Sequence, residues 1–154
     1  MTQEISATQE FVTLRLEGQL LGIPVLQVHD VLKAQNMTPV PVAPHFIAGL
    51  INLRGRIVTC IDLRARLGLP AAIDEDESTG MSVVVEQDGE PYSLLIDRVG
   101  DVLKLSIDEY ERNPITLEST WADVSAGVYR LEKELLVILD VDRLLSFTDF
   151  AAAA

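Results

Sequence analysis

Residues 28–33 read VHDVLK, and the pattern returns 71 positions later (99 − 28) as VGDVLK at residues 99–104, with five of the six residues identical. The same shift aligns Gly18 with Gly89 and Val12 with Val83. Each glycine lies between stretches in which apolar and polar residues alternate, as in two strands joined by a tight turn. This recurrence predicts that one β unit occurs twice in the chain.

A second series of matches supports the duplication at a shift of 78 positions (127 − 49), and it pairs Gly49 with Gly127, Leu53 with Leu131, Asp62 with Asp140 and Leu67 with Leu145. Hairpin-rich proteins also repeat simple patterns, but two matched series in the same order favour a true duplication. We expect two related units of about five strands each around a shared core, because short strands with close turns favour barrels. We further expect residues before Arg54 and after Val128 to share one barrel.

The composition indicates a single folded domain of 154 residues, of which 48% are hydrophobic. The formal net charge is −12, and such a surface repels both nucleic acid and anionic membranes. Cys60 is the one cysteine, which fits a reducing compartment. The N-terminus lacks a signal-peptide pattern, and the densest apolar stretch, Leu135–Leu139, is too short to cross a bilayer. We therefore expect a cytoplasmic protein without direct membrane insertion.

The chain divides into a flexible N-terminus at residues 1–10, one domain at residues 11–147 and a flexible tail at residues 148–154. Inside the domain, residues 70–80 are acidic and poor in apolar side chains, so we expect a mobile linker there.

Hydrophobic alternation predicts long strand-like runs from Leu20 to Leu32 and from Tyr92 to Leu103. Pro44 suits the first position of a short helix over residues 45–50. Residues 106–123 are predicted to form an acidic connection.

Candidate groups for catalysis or metal binding are few. His29, His45 and Cys60 do not have the spacing of a zinc site. Asp62 and Asp140 resemble a catalytic carboxylate pair, but each precedes a short helical stretch, and N-capping explains both. The sequence contains no nucleophile elbow, P-loop or glycine-rich dinucleotide motif. We therefore expect no enzymatic activity, no metal and no cofactor.

Residues 46–58 (FIAGLINLRGRIV), followed by residues 61–64 (IDLR), resemble the signature of CheW-like domains. The repeated segment at residues 28–31 also fits the family, and the resemblance extends from about Phe11 to Leu145. Thr59-Cys60 stands where many members have proline and an aliphatic residue. It lies inside a predicted strand, so we expect it to affect packing more than partners.

The resemblance implies two SH3-like, five-stranded β-barrels and a non-catalytic adaptor. Such an adaptor couples the cytoplasmic tips of methyl-accepting chemoreceptors to the regulatory domain of a CheA-type histidine kinase in bacterial chemotaxis signalling. The alternative is an adaptor of a non-flagellar chemosensory array, such as one that governs twitching motility.

The resemblance also implies binding residues. The receptor-binding set is Asp30, Asn52, Arg54, Gly55, Val99, Val102 and Leu103, and the kinase-binding set is Val28, Val31 and Leu53. An exposed ion pair is a sufficient explanation of an Asp30–Arg54 contact, and turn chemistry explains Asn52 and Gly55. The apolar repeat residues fit a core or an inter-barrel groove equally well, and we expect Val28, Val99 and Val102 to border the groove.

Overall fold

The computed structural model describes residues 7–33, 36–70 and 81–146. Within these ranges the backbone forms ten strands, three α-helices of one turn each and two short 3-10 turns, Val25–Gln27 and Ile107–Glu109. The strands are β1 (Thr8–Leu16), β2 (Gln19–Pro24), β3 (Val28–Lys33), β4 (Ile47–Leu53), β5 (Arg56–Asp62), β6 (Met81–Gln87), β7 (Glu90–Ile96), β8 (Arg98–Ser106), β9 (Ser125–Arg130) and β10 (Leu135–Leu139). The helices are α1 (Leu63–Arg66), α2 (Ser119–Ala122) and α3 (Val141–Leu144).

The strands form two sheets of five. The first barrel has the order β8-β1-β2-β10-β9, and the second barrel has the order β3-β6-β7-β5-β4. Each contains one parallel pair, β2 with β10 and β5 with β7, and its other pairs are antiparallel. This architecture fits the predicted pair of SH3-like barrels.

The two sequence repeats exchange strands. The first repeat supplies β1 to β5 and the second supplies β6 to β10, yet each barrel combines strands from both repeats. The expectation that residues before Arg54 and after Val128 share one barrel is correct for β1 and β2, which lie in the first barrel with β9 and β10. That expectation is wrong for β3 and β4, which lie in the second barrel, because the short turn Val25–Gln27 after Pro24 carries the chain across.

The largest hydrophobic cluster is shared by the two barrels. It includes Leu14 and Leu21 from the first barrel and Ile61 and Leu94 from the second, all with no exposed surface. Each buried leucine or isoleucine contributes roughly 1.5 to 3 kcal/mol. Smaller clusters lie on the other faces of the sheets, around Phe11 and Tyr129 in one barrel and around Ile51, Val58 and Cys60 in the other. The shared cluster therefore joins the barrels into one folding unit.

Tight turns close three of the hairpins. Their two central residues both have positive φ, and the pairs are Glu17-Gly18, Arg54-Gly55 and Asp88-Gly89. This is the conformation of a type I′ turn, whose twist matches that of the flanking strands. Glycine adopts it without a steric penalty, which explains why the sequence comparison could align Gly18 with Gly89.

The aspartates that follow β5 and β10 act as helix caps, as predicted. The Asp62 carboxylate accepts hydrogen bonds from the amides of Arg64 (3.0 Å) and Ala65 (3.4 Å). The Asp140 carboxylate accepts one from the Arg143 amide at 3.2 Å. These bonds satisfy amides that the first helical turn leaves without a partner.

The predicted helix over residues 45–50 is wrong. Residues from Ile47 onward form β4, which pairs along its length with β5. A backbone bridge between Thr38 and Leu50 adds a contact on the other side of the strand. Tertiary pairing therefore overrides the local helix signal of Pro44.

Both long strand-like runs are interrupted. The first stops at Pro24, and the second breaks at Asp97 between β7 and β8. At each break the chain moves from one barrel to the other. The alternation of apolar and polar residues continues across the break, although the two strands belong to different sheets. The predicted acidic connection contains the helix α2, whose Trp121 is buried in the shared cluster.

Strand pairing begins earlier than the predicted boundary at Phe11. Residues 8–10 are exposed but pair with the end of β8, opposite Leu105 and its neighbours, because the backbone of that edge strand is available whatever the side chains. The linker at residues 71–80, the start of the N-terminus at residues 1–6 and the tail from residue 147 lie outside the described residues.

Candidate docking surface

Asp30 and Arg54 meet on the surface of the second barrel. The Arg54 Nη1 donates a hydrogen bond of 2.7 Å to the Asp30 Oδ2. The Arg54 side chain is 76% exposed, whereas that of Asp30 is 22% exposed. The pair therefore presents a guanidinium to solvent while its carboxylate is held against the strand.

The strand β3 positions Asp30 through a bulge. Its pairing with β6 skips His29, so that Val28 lies opposite Val85 and Asp30 opposite Val84. The Asp30 carboxylate also accepts a hydrogen bond of 2.9 Å from the amide of the next residue, Val31. The hydrogen bond from Arg54 lowers the pKa of Asp30, partial burial opposes this, and the Val31 amide lowers it further. Asp30 is thus ionised at neutral pH.

The turn between β4 and β5 positions Arg54. The Asn52 side-chain oxygen accepts a hydrogen bond of 3.0 Å from the Gly55 amide, and Gly55 has a φ of +84°. Asn52 and Gly55 therefore have a structural task that the turn itself requires.

A shallow pocket of about 180 Å³ surrounds this ion pair. Its walls combine apolar side chains with both signs of charge, so it suits an amphipathic segment better than a single ion. The lining residues are His29, Asp30, Leu53, Arg54, Arg56, Val58, Val84, Glu86 and Pro91.

The model of the CheW-like domain family matches residues 10–149. The chain belongs to the CheW-like domain family. It is 34% identical over 146 residues to the chemotaxis protein CheW of Bacillus subtilis, covering 94% of this chain and 92% of the relative. It is 31% identical over 139 residues to the chemotaxis protein CheW of Treponema pallidum, covering 89% of this chain and 82% of the relative.

The crystal structure of the scaffolding protein TtCheW from Thermoanaerobacter tengcongensis has a similar fold. Its TM-score is 0.77 at 27% sequence identity, and the match covers 86% of this chain and 89% of that one. The ten-stranded, two-barrel architecture is therefore that of a solved CheW-like scaffold.

The predicted receptor-binding set of this CheW-like chain is divided between the barrels. Asn52, Arg54 and Gly55 lie beside Asp30 in the second barrel, whereas the other members lie on β8 in the first. On β8, Val102 is 53% exposed, and Val99 and Leu103 are half-buried. Val99 packs against the shared cluster, and Leu103 packs against the cluster inside the first barrel. These two side chains therefore contribute to cores as well as to the surface.

The predicted kinase-binding residues lie in the second barrel, Val28 and Val31 on β3 and Leu53 at the end of β4. Val28 is half-buried against the shared cluster, while Val31 is 37% exposed. Leu53 lines the pocket next to Arg54. Val28, Val99 and Val102 all keep some exposed surface. Full burial of all three would have excluded a place beside a groove, so their binding role stays a prediction.

Sequence reasoning overlooked three polar neighbours of the pair. Arg56 and His29 both approach Glu86, at 3.8 Å and 3.7 Å. Alternation on β5 and β6 was the available signal, because Arg56 with Val58 and Val84 with Glu86 are two residues apart and therefore share one face of their strand.

The described residues contain no cluster of three or more histidine, cysteine or acidic side chains able to hold a metal ion. In the same part of the chain, no helix has the length and apolarity needed to cross a membrane.

Proposed function

We propose that this chain couples methyl-accepting chemoreceptors to a CheA-type histidine kinase in the bacterial cytoplasm and catalyses no reaction itself. Its family and its two-barrel fold support the role of a chemotaxis coupling adaptor. The observation that carries the proposal is the family match over residues 10–149. The relatives reported above, which match over most of their length, are chemotaxis proteins, and this favours the role over an adaptor for a non-flagellar array.

The mechanism is positional. An adaptor that binds two partners converts the second encounter into an intramolecular one and raises its effective concentration. Signal then passes as a change in the relative geometry of the partners, so that no bond in this chain is made or broken. In this proposal, Arg54 and Asp30 recognise the receptor tip, while Val28, Val31 and Leu53 contact the regulatory domain of the kinase.

Arg54→Ala tests the receptor site. Arg54 is exposed, so its removal should change the free energy of unfolding by less than about 0.5 kcal/mol. At a binding surface the same arginine can be worth about 2 kcal/mol, or roughly a thirtyfold loss of affinity. A titration with purified receptor tip, followed by receptor-dependent kinase activation, measures this loss.

Arg56→Ala is the matched control, because Arg56 is also exposed and lines the same pocket but lies outside the predicted set. Unchanged receptor affinity in Arg54→Ala would remove Arg54 from the site. Failure of the unmodified chain to bind either partner would contradict the adaptor function itself.

A further inference from the structure

Besides the shared cluster, the two barrels contact each other at two repeat-related places, where a hairpin of one barrel meets the short helix of the other. At the first, the turn between β1 and β2 carries Glu17 towards Arg64 in α1. At the second, Gln87 at the end of β6 approaches Asp142 in α3. The sequence repeat relates these places, since the shift of 78 positions takes Arg64 to Asp142.

The first junction is an ionic network. Arg64 donates from Nε to Asp97 Oδ1 at 3.0 Å and from Nη2 to Asp97 Oδ2 at 2.6 Å. Its Nη1 donates to Glu17 Oε1 at 2.5 Å, and the Glu17 amide donates to Asp97 Oδ2 at 3.0 Å. The planar fork of arginine matches a carboxylate in this two-bond geometry. We name this network, Arg64 with Asp97 and Glu17, the clamp.

The clamp lies where the chain crosses between barrels. Asp97 is the residue between β7 in the second barrel and β8 in the first. The side chains of Arg64 and Asp97 are only 16% and 20% exposed, so solvent screens their attraction less than that of a surface pair. The network thus connects the second barrel's helix, the crossover and the first barrel's hairpin at one point.

The second junction is built differently. The hairpin contributes a hydrogen bond of 3.5 Å from Gln87 Nε2 to Asp142 Oδ1, at the long limit of such bonds. Arg66 of α1 reaches the end of the same helix and donates to the backbone oxygens of Leu144 at 2.8 Å and Arg143 at 3.2 Å. The repeat equivalent of Asp97 is Leu26, whose side chain is 94% exposed. The two junctions therefore differ in kind, because the first is built on an arginine–carboxylate fork and the second on a long side-chain hydrogen bond beside arginine-to-carbonyl bonds.

We infer that Arg64 is a positioning residue whose clamp, acting together with the shared cluster, fixes the relative orientation of the two barrels and thereby aligns the two halves of the receptor surface. The inference rests on the proposed function, because the receptor set is divided between Arg54 in one barrel and Val102 in the other. A receptor helix that spans both halves binds only when they are aligned. Any freedom between the barrels lowers the apparent affinity by the fraction of molecules in the competent arrangement.

The distance between barrels provides a direct test. Spin labels at Glu90→Cys in the second barrel and Glu132→Cys in the first replace exposed side chains, while Cys60 is 1% exposed and stays unlabelled. Pulsed electron resonance then gives the distribution of label distances. Arg64→Ala should broaden it, and Arg64→Lys should broaden it less, because lysine keeps the charge but loses the fork.

Arg15→Ala is the matched control. Arg15 forms an equally good fork with Glu134, with two bonds of 2.7 Å, but both residues belong to the first barrel. Its loss should lower the free energy of unfolding without changing the distribution of distances. An unchanged distribution in both Arg64 variants would overturn the inference and leave the clamp as a local stabilising contact.

Receptor affinity separates positioning from stability. Titrated with the receptor tip at a temperature where all variants are folded, Arg64→Ala should bind about five to ten times more weakly, and Arg15→Ala should bind like the unmodified chain. A broadened distribution with unchanged affinity would overturn the positioning role. If the unmodified chain does not bind the receptor tip, the proposed function fails, while the distance measurement still decides whether the clamp orients the barrels.

Discussion

The two barrels have the same strand arrangement, but they differ in charge at one pair of repeat-equivalent places, which we call corners. A corner consists of the third strand of a repeat and the turn that follows its fourth strand. In the second barrel, Asp30 and Arg54 form an ion pair beside a pocket. The shifts of the repeat place Asp101 and Glu132 at the corresponding positions of the first barrel, so that corner carries two acids.

Backbone irregularities have been retained where side chains have diverged. Pairing skips Ala48 between β4 and β5, and it skips Ala126 at the equivalent place between β9 and β10. The duplicated scaffold therefore fixes where a corner lies, and the side chains decide what it can bind. A partner that recognises the Arg54 corner has no equivalent site in the first barrel.

The largest difference between the barrels is expected in the free energy of unfolding when alanine replaces either of two repeat-equivalent glycines, Gly49 or Gly127. A methyl group on Gly49 would lie 2.8 Å from the backbone oxygen of Thr38, whereas one on Gly127 would lie 2.2 Å from the ring of Tyr110. Backbone cannot move aside, but Tyr110 is 40% exposed and can rotate outward. We expect Gly49→Ala to cost about 3 kcal/mol and Gly127→Ala about 1 kcal/mol, measured by urea unfolding.

A double variant checks the reason. In a Tyr110→Ala background, Gly127→Ala should cost almost nothing, because the ring that it would strike is gone. Equal costs at the two glycines in the unmodified background would show that Tyr110 is as immovable as the backbone, and the contrast between the barrels would be lost at this position.

Breaking the clamp should lower the free energy of unfolding by a smaller amount, and this loss should depend on pH. Burial raises the pKa of Asp97, but the hydrogen bonds from Arg64 and the Glu17 amide, with the charges of Arg64 and Arg98, bring it below its ordinary value of 3.8. The stabilisation is therefore fully present above that value and is lost as the pH falls through the lower folded-state pKa. Asp97→Asn should cost roughly 1 to 2 kcal/mol at neutral pH.

Unfolding free energies measured from pH 7 down to pH 2 test this sign. The difference between the unmodified chain and Asp97→Asn should be constant at the upper end and shrink at the acidic end. Leu26→Ala, at the repeat equivalent of Asp97, should give a difference that does not depend on pH. A difference for Asp97→Asn that grows in acid would contradict the assigned pKa direction.

Much of the fold could be predicted because it depends on local signals. The alternation of apolar and polar residues from Phe11 to Leu16 places Val12, Leu14 and Leu16 on one face of a strand, and all three lie in the shared cluster. The glycine turns and aspartate caps act within a few residues, so the sequence predicts them well. The exchange of strands between repeats was predicted, but the point at which the chain changes barrel was not, because β3 continues the alternation of β2 across the turn at Val25–Gln27.

Less of the candidate site could be predicted without the resemblance. Asp30 and Arg54 are 24 residues apart (54 − 30), and only the formation of the second barrel, in which β3 and β4 are the two end strands of one sheet, brings their side chains together. The clamp has no sequence signal for the same reason, since Arg64 and Asp97 are 33 residues apart (97 − 64). Contacts that join distant segments leave no periodic pattern in the sequence.

The smallest expected effect comes from giving the first barrel a copy of the ion pair. Glu132→Arg places an arginine at the corner that holds Asp101, where an exposed pair is worth at most about 1 kcal/mol. We expect the free energy of unfolding to change by less than about 0.5 kcal/mol. The double variant Arg54→Ala with Glu132→Arg should bind the receptor tip as weakly as Arg54→Ala alone, because the moved charge lacks the pocket that contains Leu53 and Val84. Recovery of affinity in the double variant would show that the receptor recognises charge at either corner, and the distinction between the barrels would then have no functional meaning.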